Sequence, residues 1–170
     1  MTDRSAVDGP VPSSQAGERV LDLFCGLGNF TLPLATRVKQ VLGMEGDAGL
    51  IARAQANAAA NGLSNARFVA ANLAGEDAAQ RCFSLAGQGP WSHVLLDPPR
   101  TGALDILPAI ARLRPKRVVY VSCHPGSLAR DLGILITEHG FRLAAAGIVD
   151  MFPHTSHVES VAVLDGPGST

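Results

Sequence analysis

From Glu18 onward the chain alternates short apolar runs with helical patterns, and no other feature narrows the fold as much. The runs are Arg19–Phe24, Gln40–Met44, Ala66–Ala70, His93–Leu96 and Arg117–Val121. They are short and rich in aliphatic and β-branched residues, as strands are. Between them the helical pattern is clearest over Asp47–Asn61, an alanine-rich run closed by Asn61-Gly62. Leu104–Leu113, closed by Pro115, and Ser127–His139, closed by Gly140, read the same way. Such alternation predicts a parallel sheet with helices on both faces. Phe141–Val149 and Glu159–Leu164 break the rhythm, because the segment joining these two strand patterns is too short for a crossover helix. They should pair antiparallel. The expected fold is α/β: five parallel strands, a C-terminal antiparallel hairpin, and helices on both faces.

One domain is expected over residues 18–165. Residues 1–17, rich in Ser, Pro, Gly and Asp, read as a flexible leader, linker or expression remnant, and 166–170 as a flexible tail. With 46% hydrophobic and 17% charged residues, the 170-residue chain can bury a core and is not disordered. A net charge of −1 offers no global field for nucleic acid. That argues against a stand-alone RNA binder, not against an enzyme whose RNA-gripping parts lie elsewhere. Cys25, Cys82 and Cys123 are widely spaced with no Cys-x-x-Cys pair, which suits a reducing compartment and neither disulfides nor a zinc knuckle. No apolar stretch reaches membrane-spanning length, and Met1–Gly17 lacks the apolar core of a signal peptide. A soluble, cytoplasmic protein is expected.

The stretch Val20–Phe30 runs from a strand into a turn with Gly26 and Gly28, then into a helix-like segment. Glycines there permit positive φ and close approach of a ligand to the backbone, with free helix N–H groups behind. A dinucleotide fingerprint would need Gly or Ala at position 31, which is Thr, and a phosphate loop ending in Gly-Lys-Ser/Thr is absent. In a parallel sheet, ligands bind outside the carboxyl ends of the strands. Glu45 closes the second strand there, where a carboxylate can accept from both hydroxyls of a ribose. Asn72 follows the third and could read an adenine edge. Asp97 closes the fourth in Asp97-Pro98-Pro99-Arg100, a loop stiffened by two prolines that lack N–H donors.

The fifth strand delivers Ser122-Cys123-His124-Pro125 and then a helix. A thiol near a helix N-terminus feels the positive end of the dipole, which favours thiolate, and Arg100 and Arg130 could add to that. Cys123 is therefore read as a nucleophile, Cys25 and Cys82 as buried structural cysteines. His154-x-x-His157-x-Glu159 has a metal-like pattern, but no further ligand is placed. No metal is assigned, and the histidines are read as positioning the loop or contacting RNA backbone.

Asp22-x-Phe24-x-Gly26-x-Gly28, Leu95–Arg100, Ser122–Asp131 and Asp150–Ser160 together resemble the motifs of the RNA (uracil-5-)-methyltransferases, nearest the bacterial branch that acts on 23S ribosomal RNA. The resemblance covers nearly everything from Glu18 to Leu164. It implies a Rossmann-like class I methyltransferase fold, S-adenosylmethionine as cofactor, and RNA as partner, rRNA before tRNA. It implies cofactor contacts at Phe24, Asn29, Glu45, Asn72 and Asp97, beside Gly26 and Gly28 of the loop. It also implies Cys123 as nucleophile and Glu159 as the base that removes a proton. The chemistry needs both: uracil C5 becomes nucleophilic only after a thiolate adds at C6, and a base must then take the C5 proton so that the thiol leaves. The target base must stand outside any helix.

The sequence departs from the family pattern at three points. His124 stands where Asn is usual, and Gly126-Ser127 replaces an Ala-Thr pair. The family's upstream β-barrel, its occasional iron–sulfur cysteines and a cofactor-contacting Phe-x-Gln segment have no counterpart, so an isolated catalytic domain is expected. Two rivals remain. An Asp-Pro-Pro segment followed by an aromatic marks amine-directed methyltransferases, but position 100 is Arg. The other is a truncated cofactor-binding domain, inactive without its RNA-binding partners.

Overall fold

The computed structural model describes residues 17–87, 89–149 and 158–169. All seven expected strands form. Strand β1 (Arg19–Leu23) is followed by α1 (Thr31–Ala35), β2 (Gln40–Glu45), α2 (Ala48–Ala60), β3 (Ala66–Ala70) and α3 (Ala78–Ala86). Then come β4 (His93–Leu96), a 3-10 turn (Leu104–Ile106) continuing into α4 (Leu107–Leu113), β5 (Arg117–Ser122), α5 (Pro125–Thr137), β6 (Arg142–Val149) and β7 (Glu159–Asp165). The run expected as one helix over Leu104–Leu113 thus opens with a tighter turn. Strand β1 stops one residue short of the expected Phe24 because that residue takes φ 64°, outside the strand region.

The strands form one sheet in the order β3-β2-β1-β4-β5-β7-β6. Strands β1 to β5 pair parallel, with Leu21 opposite both Leu42 and Val94. The C-terminal hairpin is antiparallel, but its second strand lies inside: β7 pairs with β5 on one side and β6 on the other. Burial follows this order. Ala162 and Leu164 of β7 are fully buried, whereas every residue of β6 is exposed. Placing β7 inward buries Ala162 and Leu164 and leaves β6, the more apolar strand by composition, at the outer edge.

Period-two alternation sends side chains to two layers. On one face Leu21, Leu23, Met44, Val94, Leu96, Val118 and Tyr120 pack against α3, α4 and α5 through Cys82, Ile110, Leu128 and Leu135. On the other, Phe68 and Cys25 meet Ile51, Ala54 and Ala58 of α2, while Val20 and Val41 meet Ala35 of α1. Gly43 of β2 makes room for this second layer: a Cβ there would come 2.8 Å from Cys25 Sγ and 2.9 Å from the Phe68 ring.

At the foot of the sheet Asp165 accepts from Arg117 of β5 at 2.8 Å and also pairs with Arg142 of β6. The segment expected as a free tail turns back instead. Gly166 N–H donates to Lys116 O at 2.8 Å and Ser169 Oγ to the same oxygen at 3.2 Å. Residues 1–16 and 150–157, with His154 and His157 among them, lie outside the described residues.

Candidate active site

Because β1 to β5 are parallel, their carboxyl ends gather on one edge, and the ladder continues into the loops. Cys25 N–H donates to Met44 O at 3.0 Å, Ala71 N–H to Glu45 O at 2.7 Å, and Asp97 N–H to Leu23 O at 3.3 Å. These bonds draw the segments after β1, β2, β3 and β4 around one cleft of about 390 Å³, lined by Phe24, Glu45, Gly46, Asn72, Leu73, Ala74, Asp97 and Pro99. Four expected cofactor residues, Phe24, Glu45, Asn72 and Asp97, thus share a single cavity. A larger hollow of about 570 Å³ lies between α2 and β3. It offers Arg67 as its one charged side chain and sits away from the strand ends, so chemistry, not size, selects the smaller cleft.

The glycine loop is built by its backbone. Gly26 and Gly28 take φ 55° and 91°, and at Gly28 a Cβ would also come 3.3 Å from Leu32. Phe24 takes φ 64° without being glycine, an uncommon conformation for a bulky residue and the kind held at ligand sites. The loop is tied to Glu45, whose carboxylate accepts from Gly26 N–H at 3.2 Å and Asp47 N–H at 3.1 Å. Two donors fix its orientation and leave further lone pairs for a ligand. Asn72 Oδ1 accepts from Ala74 N–H at 3.0 Å, and Arg81 holds Asn72 O at 2.7 Å. Asn29 falls elsewhere: it is exposed and lines a separate hollow with Leu27, Gly28 and Asn57.

Beneath the loop Asp22 is fully buried, and Thr31 Oγ1 donates to its Oδ2 at 2.5 Å while Oδ1 has no partner. Loss of solvent, with a smaller push from Asp97, raises its pKa to about 7; the Thr31 bond opposes this. Asp97 is exposed as a residue, yet withdrawal of its carboxyl from bulk water, and secondarily the Glu159 carboxylate, raises its pKa above the usual carboxylate value. Cys25 and Cys82 are buried, and that burial pushes both thiols up to about 12, so neither is a ready nucleophile.

Cys123 is half-buried at the end of β5. The register pairs Ser122 with Ser160, so Cys123 and Glu159 are the next residues along two adjacent strands, at the same edge. Ser160 Oγ donates to Ser122 O at 3.0 Å and stitches the two ends together. Around Cys123 the chain folds tightly: His124 N–H donates to Ser122 Oγ at 3.1 Å, and Ser122 Oγ to His124 O at 3.1 Å. His124 then serves as N-cap of α5. Its Nδ1 accepts from Ser127 N–H at 3.1 Å, the service an Asn side chain performs at such a position. The ring is thereby turned onto the helix start and lies over Gly126.

Sequence reasoning did not single out the buried Asp131 as a functional group. Tyr120 Oη donates to Asp131 Oδ2 at 2.6 Å, Ala103 N–H to the same atom at 2.7 Å, and Arg130 Nε to Oδ1 at 2.8 Å. Arg130 Nη2 reaches on to Thr101 O at 2.8 Å. Burial, and next the bond to Asp131, pushes the Tyr120 phenol well above its ordinary pKa, which keeps it a donor. The available signal was an acid two turns into an amphipathic helix, on its apolar face. Among the described residues no group of three or more His, Cys, Asp or Glu could hold a metal.

The tRNA (uracil-5-)-methyltransferase family model matches residues 11–166. The chain is 60% identical over 148 residues to the 23S rRNA (uracil(1939)-C(5))-methyltransferase RlmD of Stenotrophomonas maltophilia, covering 87% of this chain and 32% of that protein. RlmD of Xanthomonas campestris pv. campestris gives the same values. The chain therefore spans about a third of the length of the curated relatives it matches. Among solved structures, Pyrococcus abyssi tRNA (uracil-54, C5)-methyltransferase in complex with S-adenosyl-L-homocysteine superposes with a TM-score of 0.72 at 33% identity, over 88% of this chain and 35% of that one. TrmN from Thermus thermophilus gives 0.66 at 26%, over 90% and 45%. The sheet and its helices are thus the Rossmann-like methyltransferase fold.

Proposed function

The chain belongs to the tRNA (uracil-5-)-methyltransferase family, and on that premise we propose that it methylates C5 of a uridine in RNA, 23S ribosomal RNA in the first instance, in the cytoplasm. The observation that carries this reading is the meeting of Cys123 and Glu159 at one sheet edge, beside the cleft of Phe24, Glu45, Asn72 and Asp97. The cleft fits S-adenosylmethionine by its donor set. Glu45, held by two backbone N–H groups, suits a ribose diol; the free amide nitrogen of Asn72 suits an adenine edge; Gly26, where a Cβ would meet nothing within 4 Å, leaves room at the loop. Asn29 would reach the cofactor only from the far side of that loop.

When bound, S-adenosylmethionine supplies the methyl group in electrophilic form. Cys123 acts on the acceptor. Its thiolate forms a bond to C6 of uracil, and the displaced π electrons enrich C5, which can then take the methyl group. Glu159 afterwards removes the C5 proton; that electron pair re-forms the C5–C6 double bond and expels the Cys123 thiolate. Both groups are regenerated except for the proton left on Glu159.

The test is covalent trapping. The chain is incubated with S-adenosylmethionine and RNA carrying 5-fluorouridine, and the product is weighed intact. Fluorine cannot leave as a proton, so a methylated protein–RNA adduct should accumulate, and Cys123→Ala should abolish it. Absence of adduct despite cofactor binding by calorimetry would remove the uracil reading if RNA also binds at low salt. Without RNA binding, the fault would lie in phosphate contacts made by other parts of the protein.

A further inference from the structure

One buried carboxylate ties together the segments that carry the two halves of the proposed chemistry. Asp131 is fully buried in α5 and collects donors from three places: Tyr120 of β5, the Ala103 backbone after β4, and Arg130 of α5 itself. Arg130 extends the link to Thr101 O. Gly102, at φ 86°, lies against this knot, and a Cβ there would come 2.6 Å from both Asp131 Oδ2 and Arg130 Nη2. Gly102 N–H in turn donates to Pro99 O at 2.8 Å, closing the loop that begins at Asp97. So the Asp97–Pro99 rim of the cofactor cleft is fastened to the helix whose cap follows Cys123, and to the strand that delivers Cys123.

We propose that Asp131 is a positioning residue that sets the spacing between the Asp97-Pro98-Pro99 rim and the Cys123 turn, and so between methyl donor and nucleophile. The proposal rests on the uracil-5 reading. Methyl transfer demands both reactants in one narrow geometry, and misplacement by about 1 Å is worth on the order of 100-fold in rate. A burial site chosen for stability alone would be better filled by an apolar side chain, since a buried carboxylate must be compensated on every side. Here the compensating donors are drawn from the segments that must stay in register.

The test compares wild type with Tyr120→Phe, which removes one donor and keeps the ring, and Asp131→Asn, which keeps the shape. All are studied as the full chain, at a temperature where circular dichroism shows them folded. Cofactor affinity is read by calorimetry, and the single-turnover methylation rate with an unmodified transcript of 23S rRNA, both components saturating. The expected result is a rate at least tenfold lower in both variants with S-adenosylmethionine affinity kept within about threefold. A merely structural role would leave the rate of folded protein unchanged, or lower rate and affinity together, and either result overturns the proposal. Wild type that binds the transcript at low salt yet methylates no uridine would remove the uracil reading and the proposal with it, whereas active wild type with unaffected variants removes the proposal alone.

Discussion

At Asp22 a carboxyl lies under the glycine loop with one hydrogen bond, from Thr31, and one unpartnered oxygen. Its pKa, raised by burial from 3.8 to about 7, has a definite consequence for stability. Between these values the folded chain holds a proton that the unfolded chain has released. Unfolding free energy therefore falls as pH rises through that window. The increment is fully present below about pH 4 and lost above about pH 7; between pH 5 and 8 it amounts to roughly 2–3 kcal/mol. His93, whose pKa burial lowers, acts in the opposite sense, so the wild-type curve alone does not isolate Asp22. Comparison with Asp22→Asn does, since His93 is common to both. Urea titrations at pH 5 and pH 8 should show the difference between wild type and variant shrink by that amount at the higher pH. A constant difference would mean that Asp22 is already ionised at pH 5.

The start of α5 depends on two residues acting together. His124 caps it through Nδ1, and its ring is admitted because residue 126 has no side chain: a Cβ there would come 3.0 Å from His124 Cε1. His124→Ala should cost about 1 kcal/mol, the usual worth of an N-cap, while His124→Asn keeps a cap and should cost little. Gly126→Ala should destabilise the chain that carries His124 but become neutral or stabilising in the His124→Asn background, because alanine is otherwise the better helix former by about 1 kcal/mol. A double-mutant cycle by urea unfolding checks this; equal effects of Gly126→Ala in both backgrounds would show that ring and methyl do not meet. From sequence, the departures at 124 and 126 were visible but their link was not, because it depends on where a side chain turns. Legibility elsewhere follows the same division. Strands β1 to β5 and the helix over Asp47–Asn61 were legible because period and caps are local signals, and Asp47 indeed accepts from Gly49 and Leu50 N–H. The strand-end residues Glu45, Asn72 and Asp97 followed from parallel order alone. The inward place of β7, the separate hollow taken by Asn29, and the Asp131 knot depend on pairings between distant segments, which no local window carries.

For the molecule as a whole, the seventh place in the sheet is its weak point. Strand β6 forms the outer edge and exposes all eight of its residues, with Ile148 74% exposed and Leu143 and Val149 beside it. Among the described residues no strand pairs with its far edge, whose N–H and C=O groups invite another strand. Natural edges are blunted by charge, proline or a bulge. Here the protections are Arg142 at one end and an irregular register between Leu143 and Ala145, while the stretch from Ala144 to Val149 carries no charge. A net charge of −1 adds almost no repulsion between copies. The chain by itself should therefore associate through β6 as its concentration rises, and Ile148→Lys, at a site 74% exposed, should return it to monomer without loss of thermal stability. Sedimentation velocity over a hundredfold range of concentration reads this directly. If wild type and Ile148→Lys sediment alike as monomers, the bulge near Leu143 is enough to protect the edge; if both associate alike, the contact lies on another surface.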